Sequence, residues 1–219
     1  MMMRKERDLV VEYGKKLITS GLTKGTGGNV SVLNKKSGVF AISPSGMDYF
    51  ETSPEQVALV SLDGTLVDAP CKPSSELELH RMIYLHNEDA KAVVHAHSDY
   101  ATALSCLRIE LPSLHYLVAI AGHRVPCADY ATFGSVELAK NVVAVMTDCR
   151  AVLMANHGSI AAAASISTAF RIVEEVEFCA KLYLNVLATG REPVLLSDDE
   201  MERNIELFAT YGQGNTKDK

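Results

Sequence analysis

Residues 91–97 read Lys-Ala-Val-Val-His-Ala-His, an apolar run that closes on two histidines separated by one residue. The continuous apolar character of Lys91–Ala96 predicts a buried strand. Alternate residues of a strand point to the same face, so His95 and His97 are expected to stand side by side, as pairs of metal ligands commonly do. Taken alone, the motif is also typical of one packed and one exposed histidine, which is the simpler interpretation.

A third histidine follows a second apolar segment. Val152–Met154 predicts another strand, and His157 comes shortly after it, before Gly158. Two strand ends that bring three histidines together would make a zinc site with an open fourth position. Cysteine is absent at comparable spacing, and an imidazole set suits zinc and its divalent neighbours. The other histidines are assigned surface or packing roles; they are His80, His86, His115 and His123.

Glu76 lies in a segment that signals the start of a helix. Ser75-Glu-Leu-Glu78 matches a capping box, and the helix is predicted to run to about Asn87. An acid in the first turn ordinarily complements the helix dipole. If this turn faces the histidines, Glu76 becomes a fourth ligand or a carboxylate base. Ser74 and Ser75 at the same helix start would also make an anion site.

The glycine-rich segment Gly25-Thr-Gly-Gly-Asn29 can offer several backbone N–H groups to a phosphate. It matches neither the dinucleotide-binding glycine pattern nor the phosphate loop of nucleoside triphosphatases, so nucleotide binding is not predicted. Ser43-Pro-Ser-Gly46 is a second bend that fits either a simple loop or an anion site.

The remaining pattern predicts a single α/β domain over residues 1–219. The Asp63-Gly64 pair is a hairpin signal between two short strands. Residues 108–134 read as irregular, and no linker divides the chain. Helices are predicted over 4–20, 75–87, 99–107, 135–147, 165–189 and 197–212, and strands over 30–33, 39–42, 59–62, 65–67, 91–96 and 151–155.

Composition excludes several classes of protein. The 219 residues are 47% hydrophobic and 22% charged, which indicates a globular domain. The net charge of −6, without a run of Lys or Arg longer than two, argues against a nucleic-acid partner. An anionic ligand would therefore need a local site, because the overall field opposes it.

The cysteines and the amino-terminal segment predict the cellular compartment of the protein. Five scattered cysteines argue against a disulfide scaffold and for a reducing compartment. The first ten residues, MMMRKERDLV, lack the apolar core of a signal peptide. No apolar run is long enough to span a bilayer. A cytoplasmic protein without a membrane partner is expected.

The ordered set of motifs resembles the class II aldolase/adducin family, most closely the branch that cleaves L-fuculose 1-phosphate. The resemblance covers nearly the whole chain. The segments that carry it are Gly-Thr-Gly-Gly-Asn-Val-Ser (25–31), Ser-Pro-Ser-Gly (43–46), Pro-Ser-Ser-Glu (73–76), Val-Val-His-Ala-His (93–97), Leu-His-Tyr (114–116), Asp-Tyr-Ala-Thr-Phe-Gly (129–134), Asn-His-Gly (156–158) and Thr-Tyr-Gly (210–212).

The resemblance implies a three-layer α/β/α fold with a mainly antiparallel central sheet, and a homotetramer whose active sites lie at subunit interfaces. It implies one Zn²⁺ per subunit, or another divalent metal, held by His95, His97 and His157. Glu76 is implied to be a ligand in the resting site and the catalytic base once it leaves the metal. The implied reaction cleaves a 1-phosphorylated ketose such as L-fuculose 1-phosphate to dihydroxyacetone phosphate and L-lactaldehyde.

The resemblance also assigns the remaining site residues. A tyrosine at the position of Tyr116, contributed by the neighbouring subunit, serves as the proton donor. Phe133 and Tyr211 match residues that shape the aldehyde pocket or close over it. The phosphate of the sugar is implied to be held by Thr26, Gly28, Asn29, Ser45, Gly46, Ser74 and Ser75.

Alternative functions remain open within this resemblance. An L-ribulose-5-phosphate 4-epimerase uses related chemistry but typically carries an aspartate where this chain has Glu76. An aldolase or dehydratase acting on 5-deoxy- or 5-methylthio-ribulose 1-phosphate would differ only in the aldehyde pocket. An adducin-like interaction domain should lose the metal ligands, yet the three histidines and Glu76 are all present.

Overall fold

A central sheet organises the molecule, for which the computed structural model describes residues 1–210. Within these residues the sheet has eight strands in the order β4-β3-β2-β1-β5-β8-β7-β6. Every neighbouring pair is antiparallel except β6 and β7. The strands are β1 (Asn29–Asn34), β2 (Val39–Ile42), β3 (Ala58–Ser61), β4 (Leu66–Asp68), β5 (Ala92–Ala96), β6 (Cys127–Ala128), β7 (Ala151–Met154) and β8 (Gly158–Ala163).

Helices cover both faces of the sheet and complete three layers. Apolar residues of α1, α3 and α5 pack in one buried cluster on one face, and those of α2 and α4 pack in a second cluster on the other. The predicted α/β/α architecture with a mainly antiparallel sheet is therefore confirmed. The helices are α1 (Arg4–Thr19), α2 (Leu77–His86), α3 (Asp99–Cys106), α4 (Val136–Val145), α5 (Ile166–Leu187) and α6 (Asp198–Thr210).

The two-residue period of β5 decides where its histidine points. Val94 belongs to the cluster beneath α1, α3 and α5, whereas Val93 belongs to the cluster beneath α2 and α4. His95 has the parity of Val93 and therefore faces α2. In the neighbouring strand, Asn29 lies directly opposite His95 in the register. The sheet thus presents an amide and an imidazole side by side to the start of α2.

The sequence analysis missed one central strand, β8. Its sequence, Gly-Ser-Ile-Ala-Ala-Ala (158–163), is buried along its whole length between β5 and β7. Both faces are covered, so no polar alternation marks the strand, and alanine intrinsically favours helix. In the segment 108–134, read as irregular, the structure has a 3₁₀-helix at Tyr116–Ile120 and the two-residue strand β6.

The predicted capping box at residues 75–78 was wrong. Helix α2 begins at Leu77, with Glu76 at the N-cap position and no side-chain cap bond. The Glu76 N–H instead donates to Ser74 Oγ at 3.2 Å. Glu78 binds Arg81 at 2.6 Å, away from the helix end. This later start frees the Glu76 side chain to point off the helix.

Long apolar helices are not a feature of residues 1–210. None of the helices there combines the length and hydropathy that crossing a lipid bilayer requires.

Candidate active site

Three histidines converge where β5 ends and β7 turns into β8. The Nε2 atoms of His95 and His97 lie 2.8 Å apart. One ligand nitrogen from each of His95, His97 and His157 falls within 4.8 Å of the others. The structure therefore brings together the three residues that the spacing and the resemblance singled out.

Backbone contacts fix the orientation of these rings. The Nδ1 of His95 hydrogen-bonds to the carbonyl of Ser159 at 2.8 Å, which makes Nδ1 the donor and leaves the Nε2 lone pair aimed at the cluster. Asn156, just before His157, has a left-handed backbone with φ 55°. Its N–H donates to the Ser105 carbonyl, and its side chain accepts from Arg108. These bonds hold the turn that presents His157.

Two glycines allow the chain to approach the ligand strand closely. A Cβ on Gly28, whose φ is +68°, would lie 2.6 Å from the carbonyl oxygen of His95. A Cβ on Gly158 would lie 2.4 Å from the carbonyl oxygen of Ala96. Part of the glycine-rich sequence is therefore explained by packing against β5, independently of any ligand.

Glu76 reaches into the histidine cluster from the start of α2. Its Oε2 lies 3.1 Å from His95 Nε2 and accepts a hydrogen bond from Asn29 Nδ2 at 2.8 Å. Its Oε1 lies 3.4 Å from His157 Nε2. That oxygen is buried and has no hydrogen-bond partner among the described residues.

Protonation states follow from burial and charge. Burial alone would raise the pKa of Glu76, but the adjacent imidazoles of His95 and His157 and the Asn29 amide outweigh it and hold the pKa at about 2. Burial lowers the pKa of His95 and His97, and lowers that of His157 to about 4. At neutral pH the cluster is one carboxylate and three neutral imidazoles.

This donor set fits a divalent cation. Neutral imidazole nitrogens and one carboxylate oxygen are the ligands that zinc and neighbouring divalent ions take in proteins. The orphaned Oε1 of Glu76 independently supports the fit, because a buried carboxylate oxygen without a partner is costly. A cation among these four side chains would remove that cost.

An open cleft of about 380 Å³ lies above the cluster. Backbone bonds join two of its walls: Ser74 N–H donates to the Ser43 carbonyl and Ser45 N–H to the Lys72 carbonyl. Tyr130, Ala131 and Phe133 add an apolar portion to the lining. All seven residues predicted for the phosphate line the cleft; they are Thr26, Gly28, Asn29, Ser45, Gly46, Ser74 and Ser75.

The predicted roles of two tyrosines stay untested. Tyr116 is 49% exposed, is not among the residues lining the cleft of its own chain, and stacks on Phe208 with ring centroids 6.2 Å apart. Its role through a neighbouring subunit stays a prediction. Tyr211 lies outside the described residues, so its predicted role at the aldehyde pocket also stays a prediction.

Sequence reasoning missed the residues behind the cleft. His80, assigned a surface or packing role, is fully buried and bonds Asn29 Oδ1 through Nε2 and Ser31 Oγ through Nδ1. Its position four residues after Glu76, on the same helical face, was the available signal. Tyr49 donates to the Gly28 carbonyl at 2.8 Å and so supports the glycine-rich loop.

Comparison with known proteins agrees with this geometry. Residues 8–184 match the family described as Class II Aldolase and Adducin N-terminal domain. The chain is 51% identical over 213 residues to a 5-deoxy-D-ribulose 1-phosphate aldolase of Bacillus thuringiensis serovar kurstaki, covering 97% of this chain and 100% of the relative. An L-fuculose phosphate aldolase of Haemophilus influenzae is 40% identical, covering 88% of each chain.

A solved structure of a similar protein has the same fold. An L-fuculose 1-phosphate aldolase superposes with a TM-score of 0.93 at 45% identity, covering 95% of this chain and 98% of that chain. These relatives are named as aldolases, and the fold supports an aldolase-type enzyme. Together with the matched family region, these similarities show that the chain belongs to the class II aldolase and adducin family.

Proposed function

We propose that the protein is a divalent-metal-dependent aldolase that cleaves the C3–C4 bond of a 1-phosphorylated deoxyketose, with 5-deoxyribulose 1-phosphate as the first candidate. The observation that carries the proposal is the orphaned Oε1 of Glu76 beside three convergent histidines, at the base of a cleft with a hydroxyl- and glycine-rich wall. The products would be dihydroxyacetone phosphate and acetaldehyde.

The metal in this proposal is zinc, held by His95, His97 and His157 with Glu76 as the fourth group in the substrate-free site. When bound, such a cation supplies Lewis-acid stabilisation of the negative charge that develops on substrate oxygen as the carbon–carbon bond breaks. The neutral imidazoles support this assignment, because burial lowers the pKa of each histidine and leaves its lone pair free.

The phosphate is assigned to the walls that surround the histidines. Hydroxyl groups of Thr26, Ser45, Ser74 and Ser75 and the amide of Asn29 line the cleft there. The positive end of α2, which starts at Leu77, lies beside them and favours an anion. Gly28 and Gly46 add backbone without side-chain bulk. Such a local site is required because the net charge of −6 repels a sugar phosphate.

Proton transfers are assigned to two side chains. During cleavage the C4 hydroxyl loses its proton as the C3–C4 electron pair is left on C3, and C3 then takes up a proton. In the synthetic direction the ionised Glu76 removes the proton from C3; in cleavage Glu76 first takes up a proton from solvent and then delivers it to C3. Tyr116 of a neighbouring subunit exchanges the proton of the C4 hydroxyl, so the enzyme is proposed to be a homotetramer. It is also proposed to be cytoplasmic. Exposed aromatic rings at Tyr116 and Phe178 support a subunit contact there.

The nature of the aldehyde follows from the apolar part of the cleft. Tyr130, Ala131 and Phe133 favour a substrate that ends in a methyl group over one that ends in a charge. The relative at 51% identity supports 5-deoxyribulose 1-phosphate. L-Fuculose 1-phosphate, which also ends in a methyl group and would give L-lactaldehyde, is the second candidate and is supported by the structure at 45% identity. Tyr211 is assigned to close over this end.

A coupled assay for dihydroxyacetone phosphate tests the proposal. The enzyme is given each of the two ketose phosphates, with and without a metal chelator. We expect chelator-sensitive release, faster from 5-deoxyribulose 1-phosphate. Glu76→Gln should abolish release, whereas Glu78→Gln, two residues along the same helix and paired with Arg81, should retain it. Metal-loaded protein that releases nothing from either compound would overturn the aldolase assignment.

A further inference from the structure

A buried hydrogen-bond chain runs from the candidate catalytic carboxylate along the face of β1 that packs against α2. Asn29 Nδ2 donates to Glu76 Oε2 at 2.8 Å, and Asn29 Oδ1 contacts His80 Nε2. The Nδ1 of His80 lies 2.6 Å from Ser31 Oγ, which lies 2.6 Å from the hydroxyl of Tyr84. All five side chains are at most 5% exposed.

The ionised carboxylate of Glu76 fixes which atom donates in every hydrogen bond of this chain. An ionised carboxylate only accepts, so the amide of Asn29 must turn its nitrogen to Glu76 and its oxygen to His80. His80 then has to donate from Nε2, and a neutral imidazole with Nε2–H accepts at Nδ1. Ser31 donates to that nitrogen and accepts from Tyr84. Burial supports the neutral ring, since it lowers the pKa of His80 to about 3.

We propose that His80 is a positioning residue which, through Asn29, holds the Glu76 carboxylate by Oε2 and leaves Oε1 free for its work at the reaction centre. Rotation of the Asn29 amide by half a turn is opposed at both ends, because Nδ2 would then face the donor nitrogen of His80 and Oδ1 would face Glu76. Rotation would set the Asn29 oxygen against the carboxylate, two acceptors facing each other in a buried site. This inference rests on the proposed role of Glu76 as the proton-transfer group.

Two substitutions of His80 differ in which of its hydrogen bonds they keep. His80→Leu removes the donor, so Asn29 Oδ1 loses its bond to the ring and the Ser31 hydroxyl loses its acceptor while keeping its bond to Tyr84. His80→Gln can place an amide N–H near the position of Nε2 and so retains the bond to Asn29. Ile83 is buried on the same helix and takes no part in the chain, so Ile83→Val and Ile83→Ala bracket the stability loss without touching Glu76.

The first test uses full-length, zinc-loaded protein and two rates. The first is cleavage of the ketose phosphate, described by kcat and KM. The second is exchange with solvent of a proton of dihydroxyacetone phosphate, on the carbon that corresponds to C3 of the ketose, and it needs no aldehyde. We expect His80→Leu to lower kcat and the exchange rate about 10–100-fold with KM little changed, and His80→Gln to recover most of the loss. A His80→Leu enzyme no slower than the Ile83 variants, or a His80→Gln enzyme as slow as His80→Leu, would overturn the inference.

A second measurement does not depend on activity or on the folding of His80→Leu. Nitrogen-15 NMR of histidine-labelled wild-type protein should show His80 as the Nε2–H tautomer, and Ser31→Ala should weaken that preference. An Nδ1–H tautomer in the wild type would contradict the chain of donors. Absence of both cleavage and exchange in wild-type protein would defeat the proposed function instead, and the tautomer would still report on the network.

Discussion

Replacement of Gly158 by alanine tests whether close packing of β8 on β5 sets the geometry of the histidine cluster. The added Cβ would stand 2.4 Å from the carbonyl oxygen of Ala96 and 3.0 Å from Cδ2 of His97. Real Cβ atoms essentially never approach closer than 3.0 Å, so one strand has to move by about 0.6 Å. Ala96 lies between two of the three histidines, and the displacement is passed directly to them.

The magnitude follows from that shift. Overpacking of a well-packed interior costs about 1–3 kcal/mol of unfolding free energy. A displacement on the order of 1 Å at reacting groups costs about 100-fold in rate, and loss of ligand support costs about 10–100-fold in metal affinity. For Gly158→Ala we expect zinc affinity and kcat/KM each to fall about 10–100-fold. Chelator competition measures the affinity, and the coupled assay measures kcat/KM.

Gly190→Ala is the matched control for this substitution. Gly190 has φ +71°, follows the end of α5, and has no atom of residues 1–210 packed within 4 Å of its added Cβ. Alanine there costs about 1 kcal/mol through the left-handed backbone alone, without touching the site. If Gly158→Ala loses stability yet binds zinc as tightly as Gly190→Ala does, contact between the strands does not position the ligands and the reasoning is refuted.

Three further predictions concern other parts of the molecule. Burial lowers the pKa of His80 to about 3 in the folded protein, against about 6.5 when unfolded, so the unfolding free energy falls as pH drops from 6.5 toward 3. In metal-free protein the wild type should lose about 2 kcal/mol more unfolding free energy than His80→Gln between pH 7 and pH 5. Equal losses, measured by chemical denaturation, would contradict this. Burial raises the pKa of Cys149 to about 11 and of Cys179 to about 12, so maleimide at pH 8 should label exposed Cys106 well before either, as mass spectrometry of digests can check. Refolding a mixture of Tyr116→Phe and Glu76→Gln subunits should restore cleavage that neither has alone, unless each site belongs to one chain.

The convergence of three histidines was readable from sequence because a strand places alternate residues on one face and strand ends meet at one edge. His95 and His97 obey the first rule, and His157 the second. Glu76 could be named from the residues only on the condition that its turn faced the histidines, and the capping-box pattern predicted a different helix start. Its actual place at the N-cap depends on the contact between Ser74 and the segment at Ser43, which no local pattern encodes.

Other features depend on distant pairings that local sequence does not carry. The strand β8 has neither polar alternation nor β-branched enrichment, because it is covered on both faces. The role of His80 requires the register that sets Asn29 opposite His95 and the packing of α2 over β1. Tyr116 is exposed and does not line the cleft of its own chain, so its proposed role depends on a second copy.

We propose that cleavage by this protein requires a divalent cation held by His95, His97 and His157. The most direct test is release of dihydroxyacetone phosphate from 5-deoxyribulose 1-phosphate by metal-stripped protein titrated with zinc. We expect no release without metal and full activity at one zinc per chain. Undiminished release from protein shown to be free of metal, or none from protein shown to carry one zinc per chain, would contradict it.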